Sequence, residues 1–476
     1  MSPTVRTILL VAYIAITLWS ITVIIYYGRR PTKSISWVLA VITLPFAGPA
    51  LYYLFGVNRR KFKFFSIKQF EKRQKYKSAK PDSGKDFTVS FDDIHKRKLC
   101  SLLSKNSGFE ALNGNKVTIL QDGEETFRTL FSAMEKANKF IHIQYYVLER
   151  GDLLEKILKI LKKKVSEGVE VRIIYDSFGS FSFRGRIKKK FLEIGASIYP
   201  MMPIRFGNLL FSINFRNHRK IVIIDGEVAF TGGVNISDKY IKAEGDLGRW
   251  KDTHMCLEGP IVNDIHVVFL KDYFFASKDE EFDVKKYLTL SKNEGDVIAQ
   301  VVAGGPDYRH PAVMQQYISM VNYAKTKIRV ANPYFLPGEA FLQAIKIASL
   351  GGVEVSLLVP RKSDSQAALN AMFSQFEELM DVGIRIFLRD DFSHSKILAI
   401  DDEIVSIGSG NFDNRSFEHN YETNVLLYDR KISEDINSVF DKLIADAEEL
   451  SLERFKERSR WRKFLEGLSK FFKPLL

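Results

Sequence analysis

One stretch of this chain is written twice, and the repetition limits what the chain can fold into. Residues 217–235 read NHRKIVIIDGEVAFTGGVN, and residues 393–411 read SHSKILAIDDEIVSIGSGN. Superposed, they share His218/His394, Lys220/Lys396, Asp225/Asp401, Gly232/Gly408 and Asn235/Asn411 at one spacing. Alternate residues of a strand point to one face, so each histidine projects with the lysine two positions on. The apolar runs 221–224 and 397–400 then carry each strand into a core. Each asparagine follows a glycine turn, where backbone can come close to a ligand. Two imidazoles, two ammonium groups and two amides brought together would neutralise a phosphodiester and stabilise its transition state without a metal.

The repeat extends beyond these stretches. Residues 140–147 predict a strand, 153–166 a helix with apolar positions Leu153, Leu154, Ile157, Leu158, Ile160, Leu161 and Val165, and 169–176 a buried strand. Residues 328–335, 339–350 and 353–360 predict the same strand, helix and strand, and Gly168-Val169-Glu170-Val171 recurs as Gly352-Val353-Glu354-Val355. Each copy of the motif closes such a unit. The expectation is an α/β fold of two similar α/β/α halves packed face to face around one active site. Half 1 takes residues 113–292 and half 2 residues 293–450.

Charge separates these halves from what precedes them. The chain of 476 residues carries a formal net charge of +13. Residues 1–80 hold 14 Lys and Arg against the single Glu71, while the remaining 56 basic and 56 acidic residues cancel. A neutral body argues against nucleic acid as a partner, and a basic N-terminus favours contact with an anionic membrane surface. Residues 7–27 are uncharged and long enough to cross a bilayer; a second apolar run, 36–56, follows Arg29-Arg30-Pro31. The first run is too long for a signal peptide, and no small-residue cleavage site follows it. Residues 1–58 thus read as a membrane anchor of one or two transmembrane helices, Pro45, Gly48 and Pro49 allowing a kinked second segment. Residues 59–112 read as a basic juxtamembrane arm, lying on headgroups or serving as a solvated linker. Its cations place the body on the cytoplasmic side of the cell membrane.

Two cysteines, Cys100 and Cys256, without paired spacing, imply neither a disulfide framework nor a metal site, and no cofactor is expected. Two apolar features remain. The run Ile204, Phe206, Leu209, Leu210, Phe211, Ile213, Phe215 reads as a lipid-contacting lip or as a core strand. Residues 451–476 form a basic amphipathic helix with Trp461, Phe464, Leu465, Leu468, Phe471, Phe472 and Leu475 on one stripe, to lie in a membrane interface or pack on the core.

The double stretch resembles the paired HKD motif of the phospholipase D superfamily. The likeness extends to Tyr145-Tyr146, Asp176, Arg216–Lys220, Trp250–His254 and Ser409–Ser416. With the N-terminal apolar segments, the chain resembles bacterial cardiolipin synthases of the phospholipase D type. That resemblance implies a phosphatidyltransferase using phosphatidylglycerol and making cardiolipin, with membrane phospholipids as partners. It implies a catalytic set of His218, Lys220, Asp225, His394, Lys396 and Asp401, one histidine forming a phosphohistidine and the other exchanging protons. Lys220, Lys396, Asn235 and Asn411 would hold the phosphoryl oxygens. Asp225 and Asp401, at an odd offset from the histidines, would be supports, and Asp252 and Glu422 would orient the imidazoles. A phosphodiesterase of the same fold, a lipid hydrolase before a nuclease, is the alternative, because the motif does not report the acceptor. A non-catalytic scaffold would lose a His or Lys from one copy, and both copies are intact.

Overall fold

The computed structural model describes residues 2–27, 31–56, 86–203, 215–243, 247–279 and 283–472. They divide into two compact units, an N-terminal one and the body. The apolar run 204–214 and the arm residues 57–85 lie outside the described residues.

In the N-terminal unit, α1 (Pro3–Tyr27) is the one described helix long and apolar enough to cross a bilayer. At 1.5 Å per residue it is about 38 Å long. The second apolar run is not one span. α2 (Pro31–Thr43) is only about 20 Å long, and α3 (Ala47–Leu51) starts after a break at Phe46, whose φ is 57°. Pro45 explains the break, since proline removes the amide that would continue the ladder. α1 packs on these pieces through Val23, Ile24, Val41 and Tyr52, and the Tyr13 hydroxyl donates to the Ile42 carbonyl at 2.7 Å.

The body opens with α4 (Ile94–Ser107), which corrects the reading of 59–112 as an arm over its described part. Asp93 caps it, accepting from the amides of His95 and Lys96 at 2.8 Å, and Gly108 ends it in the left-handed region at φ 85°. Its Leu99, Cys100 and Leu103 are buried in the core of half 2, so this helix precedes half 1 in sequence but packs on the other half. The apolar positions were too few and too diluted by lysines to show in a sequence window.

Half 1 comprises β1 (Leu112–Leu120), α5 (Gly123–Glu135), β2 (Phe140–Tyr145), α6 (Asp152–Ser166), β3 (Glu170–Asp176), α7 (Arg186–Glu193), β4 (Ser197–Met201), β5 (Ile221–Ile224), β6 (Val228–Gly232), β7 (His254–Glu258) and α8 (Ile261–Ser277). Half 2 repeats it with β8 (Val297–Gly304), α9 (Ala312–Tyr323), β9 (Lys327–Ala331), α10 (Glu339–Leu350), β10 (Glu354–Pro360), α11 (Gln366–Phe373), α12 (Phe376–Asp381), β11 (Arg385–Arg389), β12 (Ile397–Ile400), β13 (Ile404–Gly408), α13 (Asn414–Glu418), β14 (Glu422–Leu427) and α14 (Arg430–Ala445). β15 (Glu448–Glu449), α15 (Leu452–Lys456) and α16 (Arg460–Phe472) complete the described chain.

The strands run β15-β11-β10-β9-β12-β13-β14-β8-β1-β7-β6-β5-β2-β3-β4 in one hydrogen-bonded sheet. In each half, three parallel strands meet an antiparallel β5–β6 or β12–β13 hairpin and then β7 or β14. The halves join edge to edge through the antiparallel β1–β8 pair, where the register shifts between Leu112 and Asn115. β6 also lies against β13 and β14, so the parts of the sheet that belong to the two halves face one another there. Helix α6 shows why the elements form: Leu153, Leu154, Ile157, Leu158, Ile160 and Leu161 are all buried in the half 1 core, along one stripe. The motif strands β5 and β12 are buried along their whole length.

Candidate active site

His218 and Lys220 lead into β5, and His394 and Lys396 into β12. All four side chains are buried. Short parallel bridges bring the two approaches together. The His218 amide donates to the Tyr421 carbonyl at 2.9 Å and the Tyr421 amide to the Arg216 carbonyl at 2.9 Å. Likewise the His394 amide donates to the Lys251 carbonyl at 2.6 Å and the Lys251 amide to the Phe392 carbonyl at 3.1 Å. Each motif of one half is thereby sewn to the segment that opens β14 or β7 of the other.

This exchange decides which carboxylate serves which imidazole. His218 Nδ1 lies 3.0 and 3.1 Å from the two oxygens of Glu422, a residue of half 2. His394 Nδ1 lies 2.7 Å from Asp252 Oδ2, a residue of half 1. With Nδ1–H donating to the carboxylate, Nε2 of each ring is left for chemistry, as a lone pair when the ring is neutral and as a donor when it is protonated. Glu422 is fixed in turn by the hydroxyls of Ser409 and Ser416, the latter donating at 2.8 Å. The Ser409 carbonyl also lies 3.0 Å from His218 Nδ1. The glycines after β6 make room for this geometry: a Cβ on Gly233 would stand 2.0 Å from Asp252 Oδ1. Sequence spacing suggests a loop near a ligand; the structure shows the glycine admitting the partner carboxylate.

Electrostatics follow from burial. Burial pushes both imidazoles below their ordinary value, and the Lys396 ammonium, 2.7 Å from His394 Nδ1, adds to the effect there. Glu422 and Asp252 oppose it, each on its own histidine. Burial works to raise both acids, but the facing groups outweigh it by charge and hydrogen bonding: His218 and Lys220 for Glu422, Lys396 and His394 for Asp252. Burial also lowers both lysines, Lys220 to about 7, against the attraction of Glu422 and Asp252. Lys220 donates to the His218 carbonyl at 2.7 Å, and Lys396 donates to the His394 carbonyl.

Asn235 and Asn411 are buried beside these groups. Asn235 accepts from the Val147 amide at 3.2 Å and lies 3.4 Å from the Tyr240 hydroxyl, which is 3.4 Å from His394 Nδ1. Asn411 Oδ1 has no hydrogen-bond partner among the described residues. Aromatic walls complete the site, and two of them, Tyr334 and Phe392, lie outside the residues that carry the resemblance. Tyr146 stands edge-on to His218 with centroids 4.9 Å apart, and Trp250, Tyr334 and Phe392 surround His394 at 5.4, 6.2 and 5.8 Å.

Asp225 and Asp401 are not brought into this cluster, which corrects their place in the catalytic set. Both lie past the far ends of β5 and β12 in left-handed turns, φ 55° and 51°, a conformation aspartate tolerates better than most residues. Asp225 accepts from the amides of Asn138, Lys139 and Phe140 at 2.7–2.8 Å, pinning the start of β2. Asp401 does the same for Lys325, Thr326 and Lys327 before β9. Asp225→Ala would strand three amides and is expected to cost about 2–4 kcal/mol, read as a lowered melting temperature, while kcat of the folded fraction changes little. Retained stability with lost turnover would return Asp225 to the catalytic set.

A buried strut joins the halves beside the histidines. Arg219 donates to Asp272 at 2.6 Å, to the Glu422 carbonyl at 3.2 Å and to the Gly304 carbonyl at 3.0 Å. Gln144 and Asn217 also donate to Asp272, at 2.6 and 3.1 Å. Arg219 lies between the two conspicuous residues of the motif but points away from them. Spacing alone gave no signal for its long-range partner.

Two matching α/β halves and a histidine pair exchanged between them define a phospholipase D-like protein. The family model described as "Cardiolipin synthase, PLD-like domain" matches residues 130–266 and 317–444, and one described as "Phospholipase_D-nuclease N-terminal" matches 15–56. A cardiolipin synthase of Listeria monocytogenes serotype 4b is 34% identical over 98% of this chain and 99% of its own length. One of Staphylococcus aureus strain Mu50 is 34% identical over 99% and 97%. Among solved structures, the phosphatidylserine synthase of Haemophilus influenzae Rd KW20 aligns with a TM-score of 0.60 over 79% of this chain and 98% of that one, at 13% identity, a likeness of fold. The chain belongs to the phospholipase D-like cardiolipin synthase family.

Proposed function

We infer that this chain is a membrane-bound cardiolipin synthase, which moves a phosphatidyl group from one phosphatidylglycerol to another and releases glycerol. The observation that carries the mechanism is the crossed pairing of His218 with Glu422 and His394 with Asp252. One histidine uses its Nε2 lone pair to attack the phosphorus of the donor lipid. A P–N bond forms, the P–O bond to the glycerol headgroup breaks, and the leaving alkoxide takes a proton from Nε2–H of the other histidine. Glycerol leaves. A hydroxyl of a second phosphatidylglycerol then returns a proton to that histidine and attacks the phosphorus, breaking the P–N bond and giving cardiolipin. One phosphodiester replaces another, so the reaction needs no nucleotide.

Lys220 and Lys396 neutralise the phosphoryl oxygens, Asn235 and Asn411 bind them, and Glu422 and Asp252 hold the imidazoles with Nε2 toward phosphorus. The aromatic walls fit a lipid-lined site, which limits attack by water. In this reading α1 crosses the membrane, its length and apolar composition supporting a span, and the cations of residues 59–80 favour a body on the cytoplasmic side, against anionic headgroups.

Purified protein mixed with phosphatidylglycerol vesicles, without nucleotide, is expected to yield cardiolipin and free glycerol by mass spectrometry. Phosphatidic acid as the sole lipid product would make the chain a hydrolase instead. A pH dependence accompanies this. A lysine is charged below its pKa and neutral above it, so the Lys220 contribution to phosphate binding disappears as pH rises through about 7. The kcat/KM profile is expected to fall there, and Lys220→Met should keep a low rate without that limb. The same limb in Lys220→Met would assign it to another group.

A further inference from the structure

α16 sits on the body in an inverted sense. An amphipathic helix of a soluble domain turns its apolar stripe inward. Here the inward edge is polar. Glu466, 1% exposed, lies 2.9 Å from Arg458 and 3.3 Å from Arg462, and Arg458 also donates to Glu377 at 3.0 Å. Arg462 stacks over the Phe373 ring at 5.3 Å, which ties α16 to α11. The ion pairs fix the rotation of the helix, and the stripe faces out: Trp461 is 67% exposed, Phe464 57% and Leu468 46%, with Trp461 and Phe464 stacked on each other.

Charge indicates what covers this face. α16 carries Arg460, Arg462, Lys463 and Lys470, and its one carboxylate, Glu466, is turned inward and neutralised. The exposed surface is therefore aromatic and cationic, free of any acid of its own. That composition matches the headgroup and acyl boundary of an anionic bilayer, where rings insert and cations meet phosphate. Its placement also bears on the site. α11, on which α16 packs, follows Asp364, which accepts from the hydroxyl of Tyr334, and the Tyr334 ring lies 6.2 Å from His394.

We propose that α16 is a second, interfacial membrane contact of this chain, seating half 2 on an anionic phospholipid surface through Trp461, Phe464 and Leu468. The contact rests on shape and charge and holds whichever lipid the enzyme consumes.

The test uses the full chain reconstituted into nanodiscs, labelled at Phe464→Cys with an environment-sensitive fluorophore; Cys100 and Cys256 are buried and compete little. Discs contain phosphatidylcholine alone or with phosphatidylserine, which supplies charge without supplying phosphatidylglycerol, and a lipid with a nitroxide on its acyl chain. Quenching is expected to be several-fold stronger with phosphatidylserine. Lys463→Glu with Lys470→Glu should return it to the phosphatidylcholine level. Absent quenching with phosphatidylserine overturns the proposal, as does equal quenching in both discs. Energy transfer between labels on two copies would give the face to a second copy of the chain and also overturns it. The readout needs no turnover, so its failure leaves the phosphatidyl-transfer reading standing.

Discussion

His218→Ala and His394→Ala are each expected to reduce cardiolipin formation by at least about a thousandfold, with little change in melting temperature. In the proposed mechanism the two rings act on one phosphorus in sequence, one as nucleophile and one as proton carrier, so neither would replace the other. Removing both should cost scarcely more than removing one, because groups that act as a unit are strongly non-additive. Stability should hold because each ring spends its Nδ1 on a carboxylate that keeps other partners. Glu422 retains Ser409 and Ser416, and Asp252 retains the Thr253 amide at 2.8 Å and Lys396 at 3.5 Å. Lipid turnover by the single variants, with thermal melts in detergent, checks both halves of the expectation. A variant that keeps a tenth of its rate would remove that histidine from the chemistry.

The largest stability effect is expected at Asp272→Ala. Arg219 and Asp272 are both buried, and the aspartate collects three donors from Gln144, Asn217 and Arg219. Truncating it leaves an uncompensated guanidinium in the interior, a change that costs about 3–5 kcal/mol. Arg219 also holds the Glu422 carbonyl, so the loss should propagate to His218 and lower kcat in the fraction that remains folded. Arg219→Met combined with Asp272→Leu should recover much of the stability, since a matched apolar pair carries no desolvation cost. A melt unchanged by Asp272→Ala would mean that the strut does not couple the halves.

Much of this was legible in the chain because a duplicated unit repeats its signals. The helix at 153–166 and the strands around it were visible from period and glycine stops, and the structure places them at Asp152–Ser166, Phe140–Tyr145 and Glu170–Asp176. His218, Lys220, His394 and Lys396 stood out because the same spacing occurs twice. What sequence does not carry is which half a segment packs against. α4 reads as part of a basic arm and lies in the half 2 core, and Asp252 and Glu422 were found as acids without their crossed assignment. Asp225 and Asp401 show a related limit. Their offset predicted that they face away, but the cause is a left-handed turn that reaches back to the start of a neighbouring strand. Arg219 was hidden for the same reason, its partner Asp272 being remote in sequence and close only after folding.

Catching the covalent intermediate tests the phosphatidyl-transfer mechanism at its key step. The enzyme would be mixed with phosphatidylglycerol, denatured in alkaline detergent during turnover, and its peptides mapped by mass spectrometry. With isotope-labelled phosphatidylglycerol, a labelled phosphatidyl group is expected on the imidazole of His218 or of His394, and excess unlabelled phosphatidylglycerol added before denaturation should chase that label off the histidine and into cardiolipin. Steady cardiolipin formation with neither histidine ever modified, or with the adduct on another side chain such as Ser409, would contradict it.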